Sequence, residues 1–168
     1  IAPRHPERGP AVTEALKIAG LEVAQRSLGQ LPGRRTDIYV ADTLGELGTL
    51  YASAPVAFVG GSLVPRGGQN PIEAIRHGCV VLTGPHWTNF VDVYGALIAT
   101  GGAIEVRDAE SMTAAAVHLL ADPVCLAAAR QGGSDAIGNL AGALERTVET
   151  ILTLLPAPIP VEVHRAAS

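Results

Sequence analysis

Residues 58–73 read FVGGSLVPRGGQNPIE, and what this run joins decides the fold. It begins in the apolar stretch 56–59, which has the length and composition of a strand covered on both faces. It ends in Asn70-Pro71, an asparagine N-cap followed by proline at the first helical position, which starts a helix over 71–77. A strand that passes through a glycine-rich loop into a helix is the opening of a βαβ unit. The same alternation recurs on both sides of it. Further strands are expected at 22–26, 37–41, 80–83 and 103–106, with the tail of one more at Ile1-Ala2. Helices are expected at 11–19, 46–53, 89–100, 109–121, 123–131 and from 134 to 155. Gly20, Gly78 and Gly101 each follow a helical run, as left-handed C′ residues do. Asp108 is placed to cap the helix at 109, and Asp122-Pro123 to end one helix and begin the next. The expected fold class is therefore α/β, a Rossmann-like parallel sheet flanked by helices.

The 168 residues, 48% of them apolar, make one domain with a sizeable core rather than two. Lys and Arg number 12 against 16 Asp and Glu, a formal charge of −4 with no basic block, which argues against nucleic acid as a partner. Cys79 and Cys125 show no Cys-x-x-Cys spacing and no histidine cluster beside them, and read as two buried free thiols. No stretch reaches the roughly 18 apolar residues that a spanning helix needs. The opening Ile1-Ala2-Pro3-Arg4 has no initiator methionine and reads as a strand end running into a loop. The chain is therefore expected to be a fragment of a longer protein, with one domain at 1–155 and a proline-spaced tail at 156–168.

In an open parallel sheet, ligands bind outside the carboxyl ends of the strands, so the strand-to-helix loops hold the candidate chemistry. Two glycine pairs, Gly60-Gly61 and Gly67-Gly68, leave the central loop free to adopt positive φ and to approach a phosphate closely; a tight connection alone accounts for them equally well. Glu73, three residues after Asn70, either folds back as a capping box or faces the cleft and accepts the hydroxyls of a ribose. In the loop 42–47, Thr43 and Glu46 are spaced as a capping box for the next helix. There Gly45 would let the loop lie close to a flat ligand, and Leu44 would cover one face of a base. The loop 3–8 is stiffened by two prolines and carries Arg4, whose planar fork suits a phosphate or carboxylate, although most surface arginines are simply solvated. The segment 84–90 holds the only tryptophan, Trp87. It reads either as a turn with a Thr88 or Asn89 N-cap and packed Trp87 and Phe90, or as a wall of the cleft. No histidine and carboxylate set has metal-binding spacing.

Taken together and in order, PRHPER at 3–8, DTLGEL at 42–47, FVGGSLVPRGGQNPIE at 58–73 and GPHWTNF at 84–90 resemble the C-terminal domain of the 3-deoxy-D-manno-octulosonic acid (Kdo) transferases of lipopolysaccharide assembly. The resemblance implies the C-terminal half of a GT-B glycosyltransferase. It implies an inverting transfer of Kdo from CMP-Kdo to a lipid A precursor, with neither metal nor cofactor. It places Pro3 and Arg4 on the cytidine and phosphate side of the donor, Leu44 and Gly45 against the nucleoside, Gly67, Gly68 and Asn70 at the phosphate, and Glu73 on the ribose. The general base and the lipid acceptor belong to the N-terminal domain in this family. The fragment by itself is thus expected to catalyse nothing, and its parent to work at the cytoplasmic face of the inner membrane. The family usually has histidine where Gln69 stands and proline where Ala74 follows Glu73. The alternatives are a UDP-sugar-dependent GT-B transferase or epimerase domain and a non-catalytic nucleotide-binding module.

Overall fold

The computed structural model describes residues 1–154, without the side chains of residues 143–146. The expected tail at 156–168 and the last residue of the expected final helix, Leu155, lie outside the described residues. A 3-10 turn at Pro6–Arg8 runs into α1 (Gly9–Ile18), and β1 (Val23–Gln25) runs into a second 3-10 turn at Arg26–Leu28. Then follow β2 (Ile38–Val40), α2 (Leu47–Ser53), β3 (Val56–Val59), α3 (Ile72–Arg76) and β4 (Val80–Thr83). A third 3-10 turn at Thr88–Phe90 leads to α4 (Val91–Ala99), β5 (Ala103–Glu105), α5 (Ala109–Ala121) and α6 (Pro123–Leu154).

All the strand pairs are parallel. β1 pairs with β2, and β3, β4 and β5 form a second sheet in that order, with Val56 opposite Val80 and Val81 opposite Ala103. Ile1 continues the first sheet on the free edge of β2: its amine donates to the Tyr39 carbonyl at 2.7 Å and its carbonyl accepts from the Ala41 N–H at 2.9 Å. The expected strand tail is therefore in place. It sends Pro3 and Arg4 out at the carboxyl end of β2.

The core follows the two-residue period of the strands. Val59 and Val81 face Ala74, Ile75, Tyr94 and Leu97 on one side of the larger sheet, while Val80 and Leu82 face Leu119 and Ala129 on the other. With both faces covered, β4 is buried at every position, and its sequence Val-Val-Leu-Thr shows no polar alternation for that reason. Burying a side chain such as Leu82 or Leu119 stabilises the fold by about 2 kcal/mol.

The punctuation read from the sequence is present. Gly20, Gly78 and Gly101 have φ of 84°, 82° and 74°. Asp108 accepts the Ser111 N–H at 2.7 Å while Ser111 Oγ accepts the Asp108 N–H at 3.1 Å, and Asp122 Oδ1 accepts the N–H groups of Val124 and Cys125 at 2.9 and 3.0 Å. Four expectations are corrected. The break expected between 131 and 134 is absent, because Gly132 and Gly133 are where α6 crosses the turn after α4. A β-carbon on Gly132 would collide with the Thr100 carbonyl, and one on Gly102 with Gly133. Neither Thr88 nor Asn89 caps α4 by its side chain; the Asn89 N–H donates to the Gly67 carbonyl at 3.0 Å and its amide packs against Gly67. Thr43 and Glu46 do not form a capping box, since α2 starts after Glu46 and that carboxylate is taken by Arg26. Of the two cysteines only Cys79 is buried. Cys125 is partly exposed, with its sulfur 3.4 Å from His118 Nε2. No single helix among the described residues is long and apolar enough to cross a membrane.

Candidate functional site

Within each sheet the parallel strands place their carboxyl ends on one rim, and a side-chain contact joins the two rims: Arg4 Nη1 donates to Gln69 Oε1. This brings the loop after the Ile1 strand against the end of the glycine-rich loop, next to Asn70. Pro3 is half-buried and Arg4 exposed, and among the described residues Arg4 has no ion-pair partner.

The glycine-rich loop is held by the segment that follows β4. Ser62 Oγ donates to the Val59 carbonyl and accepts from the Gly84 N–H, each at 2.8 Å, while the Ser62 carbonyl accepts the His86 N–H at 2.9 Å. Gly61, Gly67 and Gly68 have φ of 74°, 82° and 74°, as the sequence suggested for a loop of this composition. Gly67 and Gly68 are buried, however. A β-carbon on Gly68 would lie 3.1 Å from Trp87 Cα, and the Gly68 N–H is spent on the Gly61 carbonyl at 3.0 Å. These two glycines thus pack the loop onto 86–89, and the Gly68 N–H is not open to a phosphate. Trp87 and Phe90 take the packed position of their two readings: Trp87 lies 6.0 Å from the Tyr94 ring and both side chains cover the core.

At the start of α3, Asn70 Oδ1 accepts the Ile72 N–H at 2.9 Å and the Ile75 N–H bonds the Pro71 carbonyl at 3.1 Å. The N–H groups of Glu73 and Ala74 find no acceptor among the described residues. Glu73 does not fold back on Asn70. It is exposed, and its Oε1 stands over Gly48 of α2, where a β-carbon would come within 3.6 Å of it. The start of α2, which directly follows the second expected loop, therefore lies beside Glu73. Gly45, at φ 82°, has open space before it, and Leu44 is 82% exposed.

Two carboxylates hold these loops in place: Asp42, which sequence reasoning passed over, and Glu46, which it had read only as a capping-box partner of Thr43. Asp42 is 4% exposed; it accepts from Gln25 Nε2 at 2.6 Å, Ser27 N at 2.9 Å and Ser27 Oγ at 2.7 Å, and a β-carbon on Gly9 would collide with it. Burial pushes its pKa up, but the hydrogen bonds from Ser27 and Gln25 outweigh that and hold it below the ordinary value. Glu46 accepts from Arg26 Nε and Nη2 at 2.7 to 3.0 Å and from Thr43 Oγ1, and the Arg26 and Thr43 bonds hold it down to about 2. A carboxylate directly after a strand was the one available signal for Asp42. Nothing in the spacing announces an Arg26–Glu46 pair. A hollow of about 210 Å³ is lined by Arg26, Leu31, Tyr39, Ala41, Glu46 and Leu50, among others, and by none of the eight expected residues. The candidate site is thus an open rim.

No protein-family model matches the chain. It is 41% identical over 152 residues to the 3-deoxy-D-manno-octulosonic acid transferase of Bordetella pertussis and 34% identical over 152 residues to that of Haemophilus influenzae, covering 90% of this chain in both cases. The chain spans 36% of the length of each of these relatives. Among solved structures it is similar to the C-terminal CMP-Kdo binding domain of WaaA from Acinetobacter baumannii, at 32% identity and a TM-score of 0.78 over 80% of this chain and 70% of that one. The chain belongs to the 3-deoxy-D-manno-octulosonic acid transferase family, and its parallel α/β fold corresponds to the C-terminal half of those GT-B enzymes.

Proposed function

We propose that this chain is the donor-binding domain of a Kdo transferase, holding CMP-Kdo at the rim between the Arg4 loop, the Leu44-Gly45 loop and the start of α3. The observation that carries this is the Arg4–Gln69 contact, which sets a cation beside Asn70 and the start of α3, where the N–H of exposed Glu73 has no acceptor among the described residues. In the proposed reaction an acceptor hydroxyl forms the new glycosidic bond from the face opposite CMP, and the electrons of the breaking bond leave on the CMP phosphate. Negative charge grows there, where a guanidinium and a fixed N–H at the start of α3, already in position, stabilise it without a metal. Glu73, without a hydrogen-bond or ion-pair partner among the described residues and with its Oε1 near Gly48, is assigned to the ribose hydroxyls, and exposed Leu44 to one face of the cytosine. Pro3 and the buried pair Gly67 and Gly68 act through the shape of their loops. The proton of the acceptor passes to a base on the N-terminal domain of a longer parent, which also presents the lipid A precursor at the cytoplasmic face of the inner membrane.

Titration of the chain with CMP, UMP and UDP, followed by amide chemical shifts, tests the reading. The expected outcome is weak, saturable binding that prefers CMP, with shifts at residues 4, 44–45 and 70–73. A preference for UDP would replace the Kdo donor with a UDP-sugar, and Kdo transfer by these 168 residues alone would contradict the placement of the base elsewhere.

A further inference from the structure

We propose that Gln69 is a positioning residue that aims Arg4 at the donor phosphate and leaves its charge intact. The inference rests on the nucleotide reading above and adds a role for a side chain that touches no donor in that reading. Arg4 sits on a surface loop, and a free arginine there samples many rotamers and loses them all on binding an anion. Gln69 removes that freedom in advance because it is itself held at both ends. Its backbone carbonyl accepts the Tyr94 hydroxyl at 2.9 Å, and Tyr94 is fully buried and packed against Trp87. Its side-chain Nε2 lies against Gly61, where a β-carbon would be 3.3 Å away, so Oε1 is the end turned to Arg4. The buried ring thus sets the loop, the loop sets the amide, and the amide sets the guanidinium. The holder is neutral. An amide oxygen occupies one N–H of the guanidinium and leaves the rest of the fork and the full positive charge for an anion, whereas a carboxylate at the same place would cancel that charge.

The test is a set of dissociation constants for CMP and for cytidine, which lacks the phosphate, measured by titration calorimetry on the chain and its variants. Gln69→Met keeps the length and removes the acceptor; it is expected to weaken CMP about fivefold to tenfold and to leave cytidine within about twofold. Gln69→Glu keeps the acceptor and cancels the charge, and is expected to weaken CMP at least as much, again sparing cytidine. In an Arg4→Ala background, where the residue to be aimed is gone, Gln69→Met is expected to add less than about twofold. Gln69→Asn, with its shorter reach, gives the same sign should the Met variant fold poorly. Equal losses for CMP and cytidine, no loss for CMP, or additive effects of the Arg4 and Gln69 substitutions would each overturn the role of Gln69. Absence of CMP binding by the unaltered chain would instead overturn the nucleotide reading, and this inference with it.

Discussion

Asp42 and Glu46 stand four positions apart in one loop and are kept ionised by different means. Asp42 has lost its water and is compensated by three hydrogen bonds from Gln25 and Ser27, so it ties the turn after β1 to the end of β2, and the absence of a β-carbon at Gly9 lets α1 begin against it. Glu46 stays in partial contact with water and is held by the two-pronged grip of Arg26 with help from Thr43, which fixes the Leu44-Gly45 loop from its far side. Screening makes such a half-exposed pair a modest contributor, but its pH signature is distinct. The folded pKa of Glu46 is about 2 against 4.5 for a free glutamate, a depressed value. Its contribution is therefore complete above pH 4.5 and is lost as the pH falls from there toward 2. Thermal unfolding followed across that window is expected to show a decline in midpoint that is shallower in Glu46→Gln, which starts lower at neutral pH and has no carboxylate to protonate. A decline of equal steepness in both proteins would remove Glu46 from the account.

At the scale of elements, what was legible in the sequence is what depends on neighbours three or four residues away. Val56–Val59 and Val80–Thr83 have their expected bounds, the C′ glycines have positive φ, and Asp108 closes its capping box. The expected strand at 22–26 stops at Gln25 because Arg26 turns away to reach Glu46, 20 positions on. The Arg4–Gln69 contact spans 65 positions, and no local pattern encodes such a meeting. The misread glycines of α6 show the same limit: within the helix Gly132-Gly133 looks like a breaker, and only the presence of the 100–102 turn reveals it as a crossing point. Magnitudes decide what alanine does there. In a helix interior alanine is favoured over glycine by about 1 kcal/mol, whereas forcing a methyl into a filled contact costs about 1–3 kcal/mol. At Gly132 the obstacle is the Thr100 carbonyl, part of the backbone and unable to yield as a side-chain tip would, so the collision wins and Gly132→Ala is expected to be destabilised by about 1–2 kcal/mol. Gly138, on the same helix, has open space around its Cα, and Gly138→Ala is expected to gain about 0.5–1 kcal/mol. Urea unfolding of both variants checks the pair. Two changes of the same sign would mean that helix propensity alone governs α6.

Across the whole molecule the site draws on two regions that are built unequally. Both apolar clusters of the core lie on the faces of the β3-β4-β5 sheet, and neither includes a residue before Tyr51. The β1-β2 region, with α1 on it, buries Ala24, Val40 and Ala41, and its other buried side chains are polar: Thr13, Gln25 and Asp42. With less apolar area buried, this region is expected to open at lower free energy than the rest, as a separate cooperative unit. Native-state hydrogen exchange would show the amides of Val81, Leu82 and Thr83 exchanging only on global unfolding, and those of Ala24 and Val40 exchanging faster through a partial opening. The proposed donor touches both regions, through Arg4 and Leu44 on one and Asn70 and Glu73 on the other. A ligand that needs both closed stabilises the closed form by mass action, and the gain falls on whichever unit opens first. Saturating CMP is therefore expected to slow exchange at Ala24 and Val40 by about tenfold or more when its concentration exceeds the dissociation constant about tenfold, while Leu82 slows by no larger factor. Protection confined to the β3-β4-β5 region would mean that the nucleotide is held without the Arg4 and Leu44 loops.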